Sequence, residues 1–275
     1  MTYENLGGGA LEYYPCRYGK SKLLFRGPKR KLDKPYVAVL GGTETYGRFL
    51  ERPYPALLEE QLEHDFVNLG CVNAGVDVFS GDQSILDISA GAVVNVVEIT
   101  GAQNLSNRFY AVHPRRNDRF LRASNLLKTI YREVDFTDIN FTRHLLKALW
   151  EASPDKFAMV EAELKEAWVG RMKRLISQLD GKVVLLWLAD HAPGEAQPYR
   201  PDNPDPLFVD RDMLDQLRPF VKEIAEVVVS PAEIEAGRED LIHGEVEAPA
   251  AREVLGSVAQ QKAADALAKV VAPLL

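Results

Sequence analysis

Residues 36–47 read Tyr36-Val37-Ala38-Val39-Leu40-Gly41-Gly42-Thr43-Glu44-Thr45-Tyr46-Gly47, and this stretch decides the fold. Five apolar residues in a row, two of them valines, predict a short strand buried on both faces. The glycine pair behind it predicts a tight turn at the strand's carboxyl end. Open α/β sheets bind their ligands at those ends, which makes Thr43 the first candidate functional residue. Its hydroxyl is either a nucleophile or a polar turn group that bonds its own backbone.

Working outward, four more short apolar runs predict strands at Asp65–Leu69, Val93–Ile99, Val183–Leu188 and Glu226–Val229. Between them lie helical patterns. Tyr54–His64 starts behind Pro53 and carries Leu57, Leu58 and Leu62, and Gln83–Ala90 fits a second helix. Asp155–Leu179 repeats Phe157, Val160, Leu164, Trp168, Met172, Leu175 and Ile176 at three-to-four spacing. The segment Ser257–Leu274 carries an apolar stripe of Val258, Ala263, Ala266, Leu267, Val270 and Val271. Strands alternating with helices predict right-handed βαβ units, and hence an α/β protein: a three-layer α/β/α sandwich around a five-stranded parallel, flavodoxin-like sheet. Residues 36–275 read as one domain. Within it, residues 100–149 do not fit a simple crossover and read as an inserted cap. Residues 1–35 lack periodicity and read as a basic N-terminal arm packed on the domain.

Composition narrows the partners. With 46% hydrophobic and 27% charged residues, the chain is that of a soluble globular protein with a sizeable core. A net charge of -7 argues against general nucleic-acid binding, although eight basic residues stand against one acid, Asp33, between Arg17 and Lys34. Two distant cysteines, Cys16 and Cys71, make neither a disulfide framework nor a zinc motif. No signal peptide is visible, and the longest apolar runs, such as Val183 to Ala189, are too short to span a bilayer. The expectation is a cytoplasmic protein without a cofactor, metal, membrane or nucleic-acid partner. An oligomer is compatible with these features.

Three further blocks follow the turn. The loop behind the second strand is Asn68-Leu69-Gly70-Cys71-Val72-Asn73-Ala74-Gly75, and behind the third comes Gly101-Ala102-Gln103-Asn104-Leu105-Ser106-Asn107. Asp240-Leu241-Ile242-His243 precedes the final helix. Together with the glycine turn, these blocks resemble those of the SGNH (GDSL-type) hydrolases over roughly residues 36–104 and 183–272. The resemblance implies Thr43 in the place of the nucleophilic serine, with Gly42 in the place of its aspartate neighbour. It implies an oxyanion hole from a loop glycine, Gly75 or else Gly70, and from an asparagine amide, Asn104 or else Asn107. It also implies that His243 is the general base and Asp240 its orienter. Asp190-His191, behind the fourth strand, is a competing acid–histidine pair. Across its whole length the chain resembles an uncharacterised bacterial family, whose hallmarks here are Tyr14-Pro15-Cys16-Arg17-Tyr18-Gly19, Arg26-Gly27-Pro28, Glu44-Thr45-Tyr46-Gly47 and the run His113-Pro114-Arg115-Arg116-Asn117-Asp118-Arg119-Phe120.

That last run lies in the inserted cap. Arg108, His113, Arg115, Arg116 and Arg119, interleaved with aromatic residues, offer forked donors to sulfate, phosphate or carboxylate groups. The alternative is an arginine–carboxylate network pinning the insertion to Glu133, Asp135 and Asp138. Two functions follow. One is an ester hydrolase or acyltransferase acting on an anionic small-molecule or glycan ester. The other is an inactive SGNH-fold binding module for an anionic ligand or partner protein.

Overall fold

A computed structural model describes residues 11–179, 181–194 and 198–275; the first ten residues of the expected arm lie outside them. The chain begins its sheet with β1 (Tyr36–Leu40), followed by the single turn α1 (Thr43–Tyr46), α2 (Tyr54–Leu62) and β2 (Asp65–Asn68). Next come α3 (Val76–Ser80), α4 (Gln83–Gly91) and β3 (Val94–Glu98). The insertion folds as a hairpin, β4 (Tyr110–His113) and β5 (Arg116–Ala123), with α5 (Asn125–Ile130) and α6 (Thr142–Ala152) behind it. The long α7 (Pro154–Gln178) leads to β6 (Lys182–Ala189), α8 (Arg211–Asp215), β7 (Glu223–Val228) and α9 (Pro231–Arg238). The chain closes with α10 (Ala248–Ala251) and α11 (Ser257–Val271).

The main sheet has the order β2-β1-β3-β6-β7, parallel throughout. This is the flavodoxin-like order. Successive strand residues face opposite sides, so each strand feeds two cores. Val37, Val39, Val94, Val96, Val184 and Leu186 pack with Leu58 of α2 and Ala263 and Leu267 of α11. Ala38, Leu40, Val97, Leu185 and Trp187 pack with Ile85 of α4 and Leu164, Trp168 and Met172 of α7. A helix layer therefore covers each face, and the three-layer sandwich is complete. The strands fall where the apolar runs predicted them to within one residue at each end, except that β7 begins at Glu223, not Glu226. As an edge strand it exposes Glu223, Glu226 and Val228 while burying Ile224, Ala225 and Val227, so its start carries no apolar run. Among the described residues no helix is long and apolar enough to cross a membrane.

Residues 11–35 lie against the domain. Cys16 and Phe25 pair as an isolated antiparallel bridge, and Arg26, 9% exposed, enters the body of the protein. Its guanidinium donates to the carbonyls of Tyr46 (3.4 Å), Gly47 (2.5 Å), Leu50 (2.6 Å) and Glu51 (2.7 Å). These are the carbonyls at and behind the C-terminus of α1. The Tyr13 ring covers the guanidinium at 5.3 Å, and burial pulls the Arg26 pKa below its ordinary value.

Candidate functional site

β1 sits between β2 and β3 in the sheet, and the connection from β1 runs over one face while that from β3 runs over the other, so a crevice opens at the carboxyl ends of β1 and β3. The turn Gly41-Gly42-Thr43 forms one wall, and Glu98 to Gly101 the other. Gly41 is required by contact: a Cβ there would stand 1.9 Å from Thr45 Oγ1 and 2.4 Å from Glu98 Oε2. Gly42 is not so confined, since a Cβ would meet nothing nearer than Thr100 Cγ2 at 3.4 Å.

α1 has no side-chain cap of its own. Glu98, at the end of β3 and buried, supplies one from the neighbouring strand. Its Oε2 accepts from the N–H of Gly42 (2.9 Å), the N–H of Thr45 (3.0 Å) and the Thr45 hydroxyl. The Tyr54 hydroxyl joins Thr45 Oγ1 at 2.6 Å. Desolvation raises the Glu98 pKa, with the Thr45 and Gly42 hydrogen bonds opposing it and nearby Asp205 adding to it. Glu44, on the same turn, faces α11. Its carboxylate accepts from the N–H of Leu255 (2.9 Å) and from Gln260 Nε2 (2.8 Å). Burial lifts its pKa to about 7, helped by the Glu98 charge and opposed by these two hydrogen bonds. Sequence reading assigned neither glutamate a role; a lone carboxylate closing the apolar run of β3 was the available signal.

Thr43 faces the other way, into the crevice. Its hydroxyl donates to Asn73 Oδ1 (3.2 Å), and its oxygen accepts the Asn73 N–H (3.1 Å). Asn73 reaches this position with a φ of 56°, in the left-handed region that asparagine tolerates better than most residues. Its amide nitrogen donates to Asp118 Oδ2 of β5 (3.3 Å). Asn104 adjoins the group: its Nδ2 donates to the Asn73 carbonyl (3.4 Å), and its Oδ1 accepts from Thr142 (2.7 Å). Thr43, Asn73, Asn104 and Asp118 thus form one hydrogen-bonded cluster. An amide oxygen accepts a hydrogen bond but does not take up the proton at neutral pH, so Asn73 orients the Thr43 hydroxyl without activating it.

The other expected residues fall differently. Gly75 packs on Asn104, where a Cβ would stand 1.8 Å from the Asn104 carbonyl oxygen. Its N–H is taken by Asn117 Oδ1 at 3.2 Å, so in this arrangement it offers no donor to an oxyanion. Gly70 gives its N–H to Asn68 Oδ1 (2.8 Å). Asn107 turns the chain into β4 by accepting from Phe109 and Tyr110 N–H, and its hydrogen bonds do not include the Thr43 cluster. Asp240 accepts from the Ser257 hydroxyl at the start of α11. His243 donates from Nδ1 to the Gly244 carbonyl (3.1 Å) and sets its ring edge-on to Phe49. The Asp240–His243 hydrogen bond that the resemblance implied is absent among the described residues, and Asp240 Oδ2 accepts from Ser257 instead. Asp190 and His191 do pair, at 2.6 Å. No group of three or more His, Cys, Asp or Glu among the described residues is arranged to hold a metal ion.

The hairpin overhangs the crevice. Asn117, fully buried, accepts from the N–H groups of Gly75 and Val78 and donates to the His113 carbonyl (3.0 Å). Asp118 touches Asn73 beside it. Arg108 is committed to Glu163 at 2.6 Å. The N–H of Arg115 donates to His113 Nδ1 (3.2 Å), and the Arg119 guanidinium lies 4.3 Å from the centre of the Phe141 ring. Among the described residues Arg115, Arg116 and Arg119 form no salt bridge. The alternative network to Glu133, Asp135 and Asp138 does not form among the described residues; Glu133 pairs with Lys156 and Asp135 binds Thr137.

No curated protein matches this chain. Among solved structures, a lipase from a goat rumen metagenome is similar over 86% of this chain and 97% of its own, at 13% identity and a TM-score of 0.39. A putative GDSL-like lipase from Parabacteroides merdae is similar over 90% and 100%, again at 13% and 0.39. A gut microbial diltiazem-metabolizing enzyme is similar over 82% of this chain and 42% of its own, at 10% and 0.32. These likenesses are distant, and the fold stands on its own strand order. The family model described as a domain of unknown function, DUF6473, matches residues 1–275, and the chain belongs to that family.

Proposed function

We propose that this chain is an SGNH-like α/β protein that binds an anionic ligand in the crevice between the β1 and β3 loops, beneath the arginine hairpin, and that Thr43 acts there as a hydrogen-bonding residue. The observation that carries this reading is the closed Thr43–Asn73 pair. The hydroxyl gives its proton's hydrogen bond to a neutral amide, and no imidazole or carboxylate among the described residues bonds to it. Nucleophilic attack needs a base at that position. Arg115, Arg116 and Arg119, without carboxylate partners among the described residues, supply the attraction for an anion. The test is calorimetric titration with inorganic sulfate and pyrophosphate. Replacing Arg116 and Arg119 together with glutamate is expected to weaken binding at least tenfold, while Thr43→Ala weakens it less.

A second reading is hydrolysis or transfer of an acyl ester on an anionic, possibly glycan, substrate. It is favoured by the way Thr43 and Asn104 both meet Asn73 at the switch point of the sheet. It requires His243 to replace Asn73 at the Thr43 hydroxyl. Turnover of short-chain nitrophenyl esters, lost at least a hundredfold in both Thr43→Ala and His243→Ala, would establish it. Equal background rates in all three proteins would leave binding as the function.

A further inference from the structure

The acid–histidine pair behind β6 belongs to a different place from the Thr43 crevice. His191 lines a cavity of about 320 Å³ together with Lys165, Tyr199, Asn203, Leu207 and Phe208, near the lower end of the size range for small-molecule sites. Its ring is held on two sides. Nδ1 donates to Asp190 Oδ1 at 2.6 Å, and Trp187 stands perpendicular to it with ring centres 5.4 Å apart. Trp187 Nε1 also donates to the His191 carbonyl (2.8 Å), which fixes the backbone. With Asp190 on Nδ1, Nε2 is the ring nitrogen that has no partner among the described residues.

The opposite wall is apolar and ordered. Tyr199 stacks between Phe157, at 4.6 Å, and Phe208, at 5.4 Å. Phe208 holds a φ of 67°, a conformation costly for a bulky residue and one that clusters at ligand sites. The charges in the cavity lean negative. Lys165 is bound by both Glu161 (3.0 Å) and Asp210 (3.1 Å), so two carboxylates oppose one ammonium, and Asp190 stands behind the imidazole. Leu207 ties the cavity to the loop behind β3: it lines the cavity, and its carbonyl accepts the Ala102 N–H at 2.9 Å.

We infer that this cavity is a second binding site, for a small cationic molecule with an apolar ring, whose N–H group donates to His191 Nε2 while its ring lies on the Tyr199–Phe208 wall. An anion meets the Glu161 and Asp210 carboxylates and is excluded. Benzylamine is the probe and benzoate its anionic counterpart. Each is titrated into the protein while the His191 imidazole nitrogen resonances are followed, with the His191→Gln variant providing the assignment and a calorimetric comparison.

Benzylamine is expected to shift the His191 resonances saturably, with a Kd of about 1 mM or tighter. Benzoate and the His191→Gln variant are expected to give at least tenfold weaker binding. Absence of a saturable shift with benzylamine, equal affinity for benzoate, or undiminished binding by His191→Gln each overturns the inference. Should His191→Gln fail to fold, the wild-type resonances decide, assigned by exclusion from His→Gln variants of the other histidines.

Discussion

The two sides of α1 are built to different standards. On the inner side, Thr45 is fully buried and its N–H and hydroxyl both reach one carboxylate, that of Glu98, while Glu44 is held by Leu255, before α11, and by Gln260 within it. On the outer side, Thr43 is half-buried and meets an exposed asparagine through contacts of 3.1 and 3.2 Å. Hydrogen bonds in a low-dielectric interior are costly to break, because the abandoned groups find no water. Those at an open crevice exchange with solvent at little loss. The turn is therefore held by the residues that point inward, and the residue at the nucleophile position carries almost none of the load. A functional motif and its structural support are separate things here, although they occupy consecutive residues.

The comparison has testable consequences of graded size. Removing the inner acceptor costs most. Glu98→Ala leaves the N–H groups of Gly42 and Thr45 without a partner and the Thr45 hydroxyl with Tyr54 alone, at roughly 1–3 kcal/mol for each N–H. Urea denaturation is expected to show a loss of about 3 kcal/mol or more. Glu98→Gln, which keeps one acceptor, is expected to lose less. A loss as small as that of an ordinary surface substitution would erase the distinction between the two sides.

Glu44 has the next largest effect, and its sign is unusual for a carboxylate. Its pKa rises to about 7 in the folded protein, against roughly 4.3 in an unfolded chain. The folded state therefore binds the proton more tightly. The contribution of this group to stability is fully present below the unfolded value and is lost as pH climbs through 7. Glu44→Gln removes the titration, so its stability relative to wild type is expected to improve between pH 5 and pH 8, by at most about 3 kcal/mol. A gap that is flat with pH, or one that narrows, contradicts the burial of this carboxylate.

Thr43→Ala should change least, within about 0.5 kcal/mol and about 2 °C in Tm. A drop comparable with that of Glu98→Ala would make Thr43 a structural residue and remove it from either functional reading.

The main sheet was legible because parallel strands buried on both faces write themselves as apolar runs. The hairpin in the insertion was not. β5 reads Arg-Asn-Asp-Arg-Phe-Leu-Arg-Ala, and register shifts between Ala111 and Val112 and between Val112 and His113 break the alternation that marks a half-buried strand. α6 did carry a signal, the buried stripe Leu145, Leu146 and Leu149, inside a segment read only as a cap. At the site, Thr43 and Asn104 were legible from their place behind strands. Asn73 was not, because its contact with Thr43 depends on a left-handed backbone and on a hairpin some forty residues downstream. The Asp240–His243 spacing was legible as a pattern, but spacing does not say which neighbour claims the aspartate, and Ser257 does.

Arg26 places the start of the folding unit. Its guanidinium serves four carbonyls at and behind the end of α1, where the loop itself supplies one N–H, from Leu50 to Gly47, so the arm completes a helix end that the sheet domain closes only in part. A chain beginning at Tyr36 would retain every strand and still lack that closure. The boundary that composition draws before β1 is a boundary of sequence character, and a protease or a genetic cut placed there would sever the domain from one of its own parts.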